Sequence, residues 1–334
     1  MTGKTILTGV QATGTPHIGN YIGAIRPALD LAAAHEKSFL FIADMHSLNA
    51  VHDPKALRAN TYQVAATWLA LGLDPEKTVF YRQSDIPEIF ELSTLLTAVT
   101  PKGLMDRSHA YKAAVDKNKA ENHDADRDVN MGLYTYPILM AADILSMDAQ
   151  IVPVGPDQTQ HIEFARDIAG YFNNAFKPVL VQPEGLIKQG ATVPGLDGRK
   201  MSKSYGNVIP LFAEGQARRK AVMKIVTDSK LPAEPKNPDE SVIVKLYTTF
   251  AAPDEVKTMT DAFTKGRMGY GDAKKLLADA IDRTLEKPSA IYNEYMADTS
   301  RLDALLATGA DKARKTARAT LSRVREAAGL KGLK

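Results

Sequence analysis

Short runs of β-branched and aromatic residues alternate with longer helical patterns along the first two-thirds of this sequence, and this alternation most constrains the fold. The predicted strands are Thr5 to Val10, Phe39 to Asp44, Thr78 to Arg82 and Ala149 to Val154. The predicted helices between them are Asn20 to His35, Pro54 to Leu71 and Ile89 to Leu96. Strand–helix alternation of this kind predicts an α/β fold with a doubly wound parallel sheet.

Doubly wound sheets bind their ligands beyond the carboxyl ends of the strands. The segments of this chain that fall at those ends are Gln11 to Asn20, Asp44 to His46 and Gly155 to Gln158. The sequence therefore predicts a ligand site built from these three segments.

The strand pattern stops after about Pro210. The helices predicted beyond it are Val242 to Phe250, Tyr270 to Glu286, Pro288 to Ala297 and Arg301 to Ala327. With 334 residues the chain is long enough for two cores, so we expect a catalytic domain at 1–210 and an all-helical domain at 211–334. An insertion at about 100–130 is rich in charged residues and lacks clear periodicity, which favours either a mobile excursion or a solvated helix and loop.

Composition excludes several classes of protein. The chain has no cysteine, so disulfides, thiolate nucleophiles and cysteine-ligated metals are excluded. No apolar run approaches the roughly 20 residues that a membrane-spanning helix requires. The first residues, Met1 to Val10, contain no hydrophobic stretch typical of a signal peptide. We therefore expect a cytoplasmic protein with no membrane association.

The charge of the chain is concentrated at its end. The segment from Asp311 to Lys334 contains eight basic and two acidic residues, a net charge of +6, although the whole chain carries only +3. Such a tail is suited to a polyanionic partner. The alternative is a solvated helix face whose cations stabilise the helix C-terminus.

The junction between the first predicted strand and the next helix contains three glycines, Gly9, Gly14 and Gly19. Glycines allow the backbone to approach a phosphate closely, and the N-terminus of the following helix favours an anion. His17 and Asn20 are three residues apart and can face the same ligand from one helical turn. Taken alone, His17 could equally be a capping or packed residue.

A second loop, Pro194 to Ser204, contains Lys200 and Lys203 among glycines and serines. Its flexible backbone could bring both ammonium groups to a triphosphate, where negative charge develops during nucleotidyl transfer. From composition alone, the loop could equally be an exposed basic loop that binds no nucleotide.

The two loops together resemble the HIGH and KMSKS motifs that bracket ATP in the Rossmann-like fold of class I aminoacyl-tRNA synthetases. KMSKS is intact at 200–204, whereas Asn20 replaces the last histidine of HIGH. The tryptophanyl subgroup commonly has that asparagine in the context GNYIGA, which stands here at 19–24. Further similar stretches are 136–145, 152–169, 269–275 and 309–314.

The resemblance implies roles for individual residues. His17 and Asn20 would contact the phosphates of ATP, and Lys200 and Lys203 would stabilise the transition state and the leaving pyrophosphate. The full set of expected ATP contacts is Gln11, Ala12, Thr13, Gly19, Asn20, Gly155, Pro156, Asp157, Val193, Lys200, Met201, Ser202, Lys203 and Ser204. Asp157 is also a candidate helix N-cap. Mg²⁺ would be bound by the ATP phosphates, and no protein metal site is expected.

One face of a predicted helix combines Tyr136, Met140 and Asp143, which are spaced i, i+4 and i+7. Without context this stripe would belong to the core, with Asp143 bound to a backbone group. As a pocket lining it is suited to tryptophan, because an indole N–H can only donate and a carboxylate can only accept. The resemblance implies that Asp143 reads this N–H, and it places His46 and Gln158 near the amino acid.

The implied activity is ATP-dependent formation of tryptophanyl-adenylate and transfer of the tryptophan to tRNA(Trp), catalysed by a homodimer. The helical domain at 211–334, which would bind the tRNA and its anticodon, and the basic tail of this domain would supply the tRNA surface through phosphate contacts. Two alternatives remain open at this point. One is a tyrosine-activating ligase of the same fold, and the other is a non-catalytic paralogue that binds nucleotide or RNA.

Overall fold

The computed structural model describes residues 3–155, 158–187, 192–213 and 215–332. Within these ranges the strands are β1 (Ile6–Gln11), β2 (Ser38–Ala43), β3 (Thr78–Arg82), β4 (Ile151–Val154) and β5 (Glu184–Ile187). They form one parallel sheet in the order β3-β2-β1-β4-β5. The strand order reverses direction at β1, so the ligand-binding crevice of such a sheet lies between the ends of β1 and β4.

The helices follow the strands in the order expected for crossover connections. Those of the sheet region are α1 (Ile18–Asn20), α2 (Arg26–Ala33), α3 (Asp44–Ser47), α4 (Pro54–Ala70), α5 (Pro87–Thr97), α6 (Lys102–Met105), α7 (His109–Ala120), α8 (Met131–Ser146) and α9 (Thr159–Ala175). A π-helical turn, Tyr21–Ile25, joins α1 to α2. The later helices are α10 (Gly215–Met223), α11 (Val242–Phe250), α12 (Pro253–Thr264), α13 (Tyr270–Ala297) and α14 (Thr299–Ala327).

The central strands explain why the site lies where it does. Every residue of β2 is buried, as expected for a strand covered by helices on both faces. β1 and β2 are paired in register from Ile6 and Ser38 to Gln11 and Ala43, so both strands end at the same edge of the sheet. The residues that follow these strands are thereby brought together.

The predicted doubly wound sheet with a helical C-terminal region is confirmed, and the predicted strands agree with the observed ones to within two residues at each end. β5 and the helices α3, α6, α10 and α12 were not predicted. The prediction of two helices separated before Pro288 is wrong, because α13 continues through this proline. Leu285 and Tyr292 are buried on either side of it, and their packing outweighs the loss of one backbone hydrogen bond.

The segment at about 100–130 contains a helix and a loop. α7 occupies its middle, and the Asn118 side chain donates hydrogen bonds to the carbonyl oxygens of Ala125 and Arg127, at 2.9 and 2.7 Å. These bonds close the loop that follows α7. The arrangement agrees with the solvated helix-and-loop alternative. Within the described residues, no helix is both long enough and apolar enough to cross a lipid bilayer.

The helices after 210 share their buried surfaces with the sheet region. Buried side chains of α14, including Ala313 and Leu321, belong to the same core as Phe39 of β2 and Ile168 of α9. Conversely, Ile18 of α1 is buried in the core formed mainly by α11, α12 and α13. Both cores therefore contain residues from before and after residue 210. We keep the division at this residue as a proposal about function, since it does not separate two hydrophobic cores.

Gly309 marks the point where α14 crosses the edge strand β3. A Cβ atom placed on Gly309 would overlap the carbonyl oxygen of Phe80. The helix backbone thus lies directly against the strand backbone, and only glycine allows this distance. The same contact covers the outer edge of the sheet, which would otherwise expose unpaired strand groups.

We predict that Gly309→Ala lowers the free energy of unfolding by about 3 kcal/mol or more, because the methyl group forces α14 away from β3. Gly271→Ala is the matched control. It also lies in a helix, but its added Cβ would meet nothing within 4 Å, so stability should stay the same or rise slightly. Urea unfolding of both variants measures the difference, and equal stabilities would show that α14 does not depend on this close approach.

Candidate active site

The turn after β1 is fixed by a reciprocal pair of hydrogen bonds. The His17 backbone N–H donates to Asn20 Oδ1 at 3.0 Å, and the Asn20 backbone N–H donates to His17 Nδ1 at 3.3 Å. This is a capping box at the N-terminus of α1. His17 is therefore a helix-capping residue, which was one of the two alternatives that the sequence left open. Capping is compatible with a role toward phosphate, since the other ring nitrogen, Nε2, is not used by the box.

His17 is a neutral imidazole at physiological pH. It is only 7% exposed, and its burial together with the positive charge of Lys203 lowers its pKa to about 4. Because Nδ1 accepts the Asn20 N–H, the neutral ring must carry its proton on Nε2. His17 therefore presents a fixed N–H donor at the glycine-containing turn. A donor of this kind can bind a phosphate oxygen, which only accepts hydrogen bonds.

The loop that contains Lys200 and Lys203 lies against this turn. Lys203 Nζ is 3.1 Å from the position that a Cβ atom on Gly14 would occupy. Gly14 has φ +118°, a backbone conformation that favours glycine, and the absent side chain leaves room for the lysine. Loss of hydration around the Lys203 ammonium lowers its pKa, and no carboxylate of the described residues pairs with it. The turn thus has one neutral donor and one cation without a counter-charge.

Two further contacts attach α1 to this loop and to the segment that follows it. The Gly19 N–H donates to Met201 Sδ at 3.1 Å, and the Ile18 N–H donates to the Ile209 carbonyl oxygen at 2.9 Å. Lys200 is exposed, and Val193 is buried beside Met201 and Ile18. Among the predicted ATP contacts, the structure therefore places Lys203 and Met201 at the turn, while the Lys200 side chain points into solvent and Val193 packs in the core.

The other predicted nucleotide contacts surround the end of β1. Gln11 and Thr13 are exposed, whereas Ala12 is buried and its N–H donates to Ser47 Oγ at 2.8 Å. In the second loop, Ser202 Oγ and Ser204 Oγ are hydrogen-bonded at 2.8 Å. Gly155 follows β4 directly. The predicted contacts Pro156 and Asp157, with the N-cap alternative for Asp157, lie outside the described residues.

Asp143 is the most constrained polar side chain of the site. It lies on α8, it is 0% exposed, and its Oδ2 is 2.9 Å from His46 Nε2. Gln83 Nε2 donates to both carboxylate oxygens, at 2.9 and 3.0 Å. The His46 backbone N–H in turn donates to Gln83 Oε1 at 3.3 Å. An ionised carboxylate can only accept, so His46 Nε2 carries a hydrogen in this arrangement.

Burial raises the pKa of Asp143, and the hydrogen bonds from His46 and Gln83 oppose that shift. The neighbouring Tyr81 is also fully buried, and its pKa is raised well above the usual value by burial and by the charge of Asp143. No described residue forms a hydrogen bond with the Tyr81 hydroxyl. Buried polar groups are nearly always paired, so this hydroxyl is an exception among the described residues.

The predicted stripe on α8 is confirmed as one helix face. Tyr136 and Met140 are partly buried and Asp143 is fully buried, so the face leads inward from the surface to the carboxylate. The Tyr136 ring meets the His161 ring of α9 edge to face, with 5.4 Å between the ring centroids. Gln158 lies at the exposed start of α9. Within the described residues no three His, Asp or Glu side chains form a cluster that could hold a metal ion.

Sequence reasoning missed Gln83 and Tyr81. Gln83 directly follows β3, just as His46 lies just beyond β2, so the rule that selected His46 could have found it. Tyr81 is an inner residue of β3, and its residue type alone is typical of a core strand. The structure brings His46, Gln83 and Asp143 together from β2, β3 and α8.

A doubly wound parallel sheet, a capped turn with glycines, a lysine loop against that turn and a buried carboxylate are the features expected of the class I synthetase type. The family model described as tRNA synthetases class I (W and Y) matches residues 3–286. The chain therefore belongs to the class I tRNA synthetases for tryptophan and tyrosine, as the HIGN and KMSKS motifs predicted.

Relatives that match nearly the whole of this chain include tryptophan–tRNA ligases. The chain is 53% identical to that of Neisseria meningitidis, with 100% of each chain covered. It is 49% identical to that of Xanthomonas axonopodis pv. citri, covering 98% of this chain and 77% of the relative. Tryptophanyl-tRNA synthetase from Campylobacter jejuni, solved with ADP and tryptophan, has a TM-score of 0.90 and 40% identity, and the match covers 98% of this chain and 100% of that one.

The low pKa of His17 predicts a pH-dependent contribution to stability. The folded state keeps the ring neutral down to about pH 4, whereas the unfolded chain protonates it near 6.5. Unfolding therefore takes up a proton between these values, and the fold loses stability as the pH falls. His17→Asn keeps a capping oxygen and removes this titration.

We expect the wild type to lose on the order of 1 to 2 kcal/mol more than His17→Asn when the pH is lowered from 7 to 5, measured by urea unfolding. His52→Asn is the control, because His52 is exposed and outside the site. Parallel losses in the wild type and His17→Asn would contradict the assignment of a buried neutral ring.

Proposed function

We propose that this chain activates L-tryptophan with ATP to form tryptophanyl-adenylate and pyrophosphate, and transfers the tryptophan to tRNA(Trp). The single observation that carries the proposal is the buried Asp143 carboxylate, oriented by His46 and Gln83 at the inner end of the face that includes Tyr136 and Met140. The sequence prediction of this activity is confirmed by the full-length relatives.

Asp143 supplies the acceptor for the indole N–H. His46 and Gln83 occupy three of the roughly four lone-pair positions of the carboxylate, so acceptor capacity remains. Tyr136 and Met140 present a ring and a polarizable thioether to the flat indole. We assign His46 and Gln158 to the surroundings of the amino acid. A ligand without the N–H leaves a buried acceptor unpaired, and this penalty produces selectivity.

The nucleotide lies across the ends of β1 and β4. In our proposal, the backbone at Gln11 to Thr13 and Gly155 to Asp157 lines the nucleotide, Gly19, Met201, Ser202 and Ser204 contact ATP, and Val193 supports the loop from the core. His17 Nε2–H and Asn20 bind phosphate oxygens at the N-terminus of α1. Mg²⁺ enters as part of the ATP complex, bound by the phosphates. The C. jejuni complex with ADP supports a nucleotide site in this fold.

The chemistry requires little more than orientation. The tryptophan carboxylate attacks the α-phosphorus, the bond to the β-phosphate oxygen breaks, and pyrophosphate leaves. The nucleophile is already an anion, so no general base is needed in this step. Lys203, which lies at the turn, and Lys200, the exposed second cation of the same loop, stabilise the charge on the leaving group. A ribose hydroxyl of tRNA then attacks the acyl carbon, releasing AMP and a proton.

Exchange of pyrophosphate into ATP, measured separately with tryptophan and with tyrosine, tests the function. The proposal expects exchange that depends on tryptophan. Exchange with tyrosine alone would establish the tyrosine-activating alternative, and ATP binding without adenylate formation would establish the non-catalytic paralogue.

The substitution Asp143→Ala tests the assigned specificity residue. We predict a higher KM for tryptophan in the exchange assay, because the indole N–H loses its acceptor. The preference for tryptophan over an analogue with sulphur in place of the indole nitrogen should fall by about a hundredfold or more. An unchanged preference would show that another group reads the N–H.

The basic tail is less available to tRNA than its composition suggests. Arg314 and Arg318 pair with Glu88, and Arg323 and Arg325 pair with Asp148 and Glu91. These ion pairs attach α14 to the sheet region. Among the tail cations that the structure describes, Lys312, Lys315 and Lys331 appear in no such pair. We propose these three as the phosphate contacts, in a cytoplasmic homodimer.

Changing Lys312 and Lys315 together to Ala should raise the KM for tRNA severalfold and reduce the salt dependence of charging, because two phosphate contacts are lost. The pyrophosphate exchange step uses no tRNA and should not change. Lys257→Ala with Lys275→Ala removes the same charge from α12 and α13 and is the control. If both double variants charge tRNA equally well, α14 is not the tRNA surface.

A further inference from the structure

The loop with Lys200 and Lys203 contains a buried amide that lies outside its lysine motif. Asn207 is only 3% exposed, although most of the surrounding loop is exposed. Its Oδ1 accepts the Ser202 backbone N–H at 2.8 Å, and its Nδ2 donates to the Lys200 carbonyl oxygen at 3.1 Å. The same Nδ2 donates to Asp197 Oδ1 at 2.6 Å. One carboxamide therefore fixes the backbone on both sides of Met201.

The geometry of the loop is adapted to this amide. A Cβ atom on Gly195 would overlap the Asn207 carboxamide, so the side chain fills space that only glycine leaves open. The Leu196 N–H donates to the Asn207 carbonyl oxygen at 2.9 Å. The hydrogen bond from Asn207 is also the largest cause of the lowered pKa of Asp197. Asn207, Gly195 and Asp197 thus form one unit, which we call the amide latch.

The latch controls the part of the loop that reaches the phosphate turn. Met201, which it encloses, accepts the Gly19 N–H, and the ammonium of Lys203 lies against Gly14. Both lysines leave the backbone within one residue of the groups that Asn207 holds. Displacing catalytic groups by about 1 Å can lower a rate by about a hundredfold. The latch is therefore placed to set the positions of both ammonium groups.

We propose that Asn207 is a positioning residue for Lys200 and Lys203 in adenylate formation, acting through the backbone of residues 200–202 with Asp197 as its partner. This inference rests on the proposed function for its kinetic consequence. Its structural consequence, the position of the loop against α1, does not depend on which reaction the chain catalyses.

A charge-exchange cycle tests the latch. Asn207→Asp removes both donated hydrogen bonds and places a second carboxylate beside Asp197, which should lower kcat of tryptophan-dependent pyrophosphate exchange by about tenfold to a hundredfold with a smaller change in the KM for ATP. Combining it with Asp197→Asn restores the hydrogen bond between positions 197 and 207 with donor and acceptor reversed, but not the bond to the Lys200 carbonyl oxygen, and should therefore recover part of kcat. Asn237→Asp, at an exposed turn, is the control for the same chemical change.

Trypsin cleavage after Arg199, Lys200 and Lys203 provides a readout that requires no activity. Asn207→Asp should be cut in this loop several times faster than the wild type or the charge-exchanged double variant, while its melting temperature stays close to that of the wild type. The proposal is overturned if Asn207→Asp retains kcat within twofold, or if loss of kcat accompanies global unfolding and the double variant does not recover. A wild type without tryptophan-dependent exchange would refute the proposed function, while the cleavage rates would still decide the latch.

Discussion

A carboxylate without any access to solvent is costly unless other groups compensate it, and Asp143 is such a group. Its compensation comes from His46 and Gln83, which follow two different strands of the sheet. Removing one partner of a buried pair typically costs about 3 to 5 kcal/mol. The hydrogen bonds to the Asp143 carboxylate therefore hold the ends of β2 and β3 in place against α8. The fold orients the acceptor before any ligand arrives, and this preorganisation is what selectivity requires.

The phosphate side of the site is built differently. There the side chains are positioned by backbone hydrogen bonds, a capping box and glycines, and not by a buried charge. His17 contributes as a neutral donor, and Lys203 supplies the positive charge without a carboxylate partner among the described residues. The loop meets α1 through Met201, which is only 4% exposed and accepts the Gly19 N–H, so this half of the site is held by packing as well as by hydrogen bonds. In the proposed reaction, the buried carboxylate would hold the amino acid, and the lysine loop would meet ATP and the leaving pyrophosphate.

Sequence patterns predicted the sheet because four of its strands are marked by β-branched and aromatic residues and by turns. They failed at β5, whose four residues include Glu184 and Gly185 and lack the strand composition. They also failed at Pro288, where long-range packing outweighs a local signal. His46 and Asp143 could be singled out from the sequence, but their direct contact could not, because it joins residues that are 97 positions apart.

The tail shows why charge counts alone mislead. Its net charge of +6 is correct as composition, yet four of its arginines form ion pairs with the three carboxylates of Glu88, Glu91 and Asp148 within the fold. Those acids are scattered along the sequence, and only the folded chain brings them to α14. Gly309 is similar, because nothing near it in sequence reveals the backbone of β3 that it contacts.

The central claim is that the buried carboxylate of α8 reads the indole nitrogen. A crystal structure of the chain with bound tryptophan tests it most directly. The account predicts that the indole nitrogen lies at a hydrogen-bonding distance of about 2.7 to 3.2 Å from an Asp143 oxygen, with His46 and Gln83 still donating to that carboxylate. Tryptophan bound with its ring nitrogen facing solvent, or paired with a group other than Asp143, would contradict it.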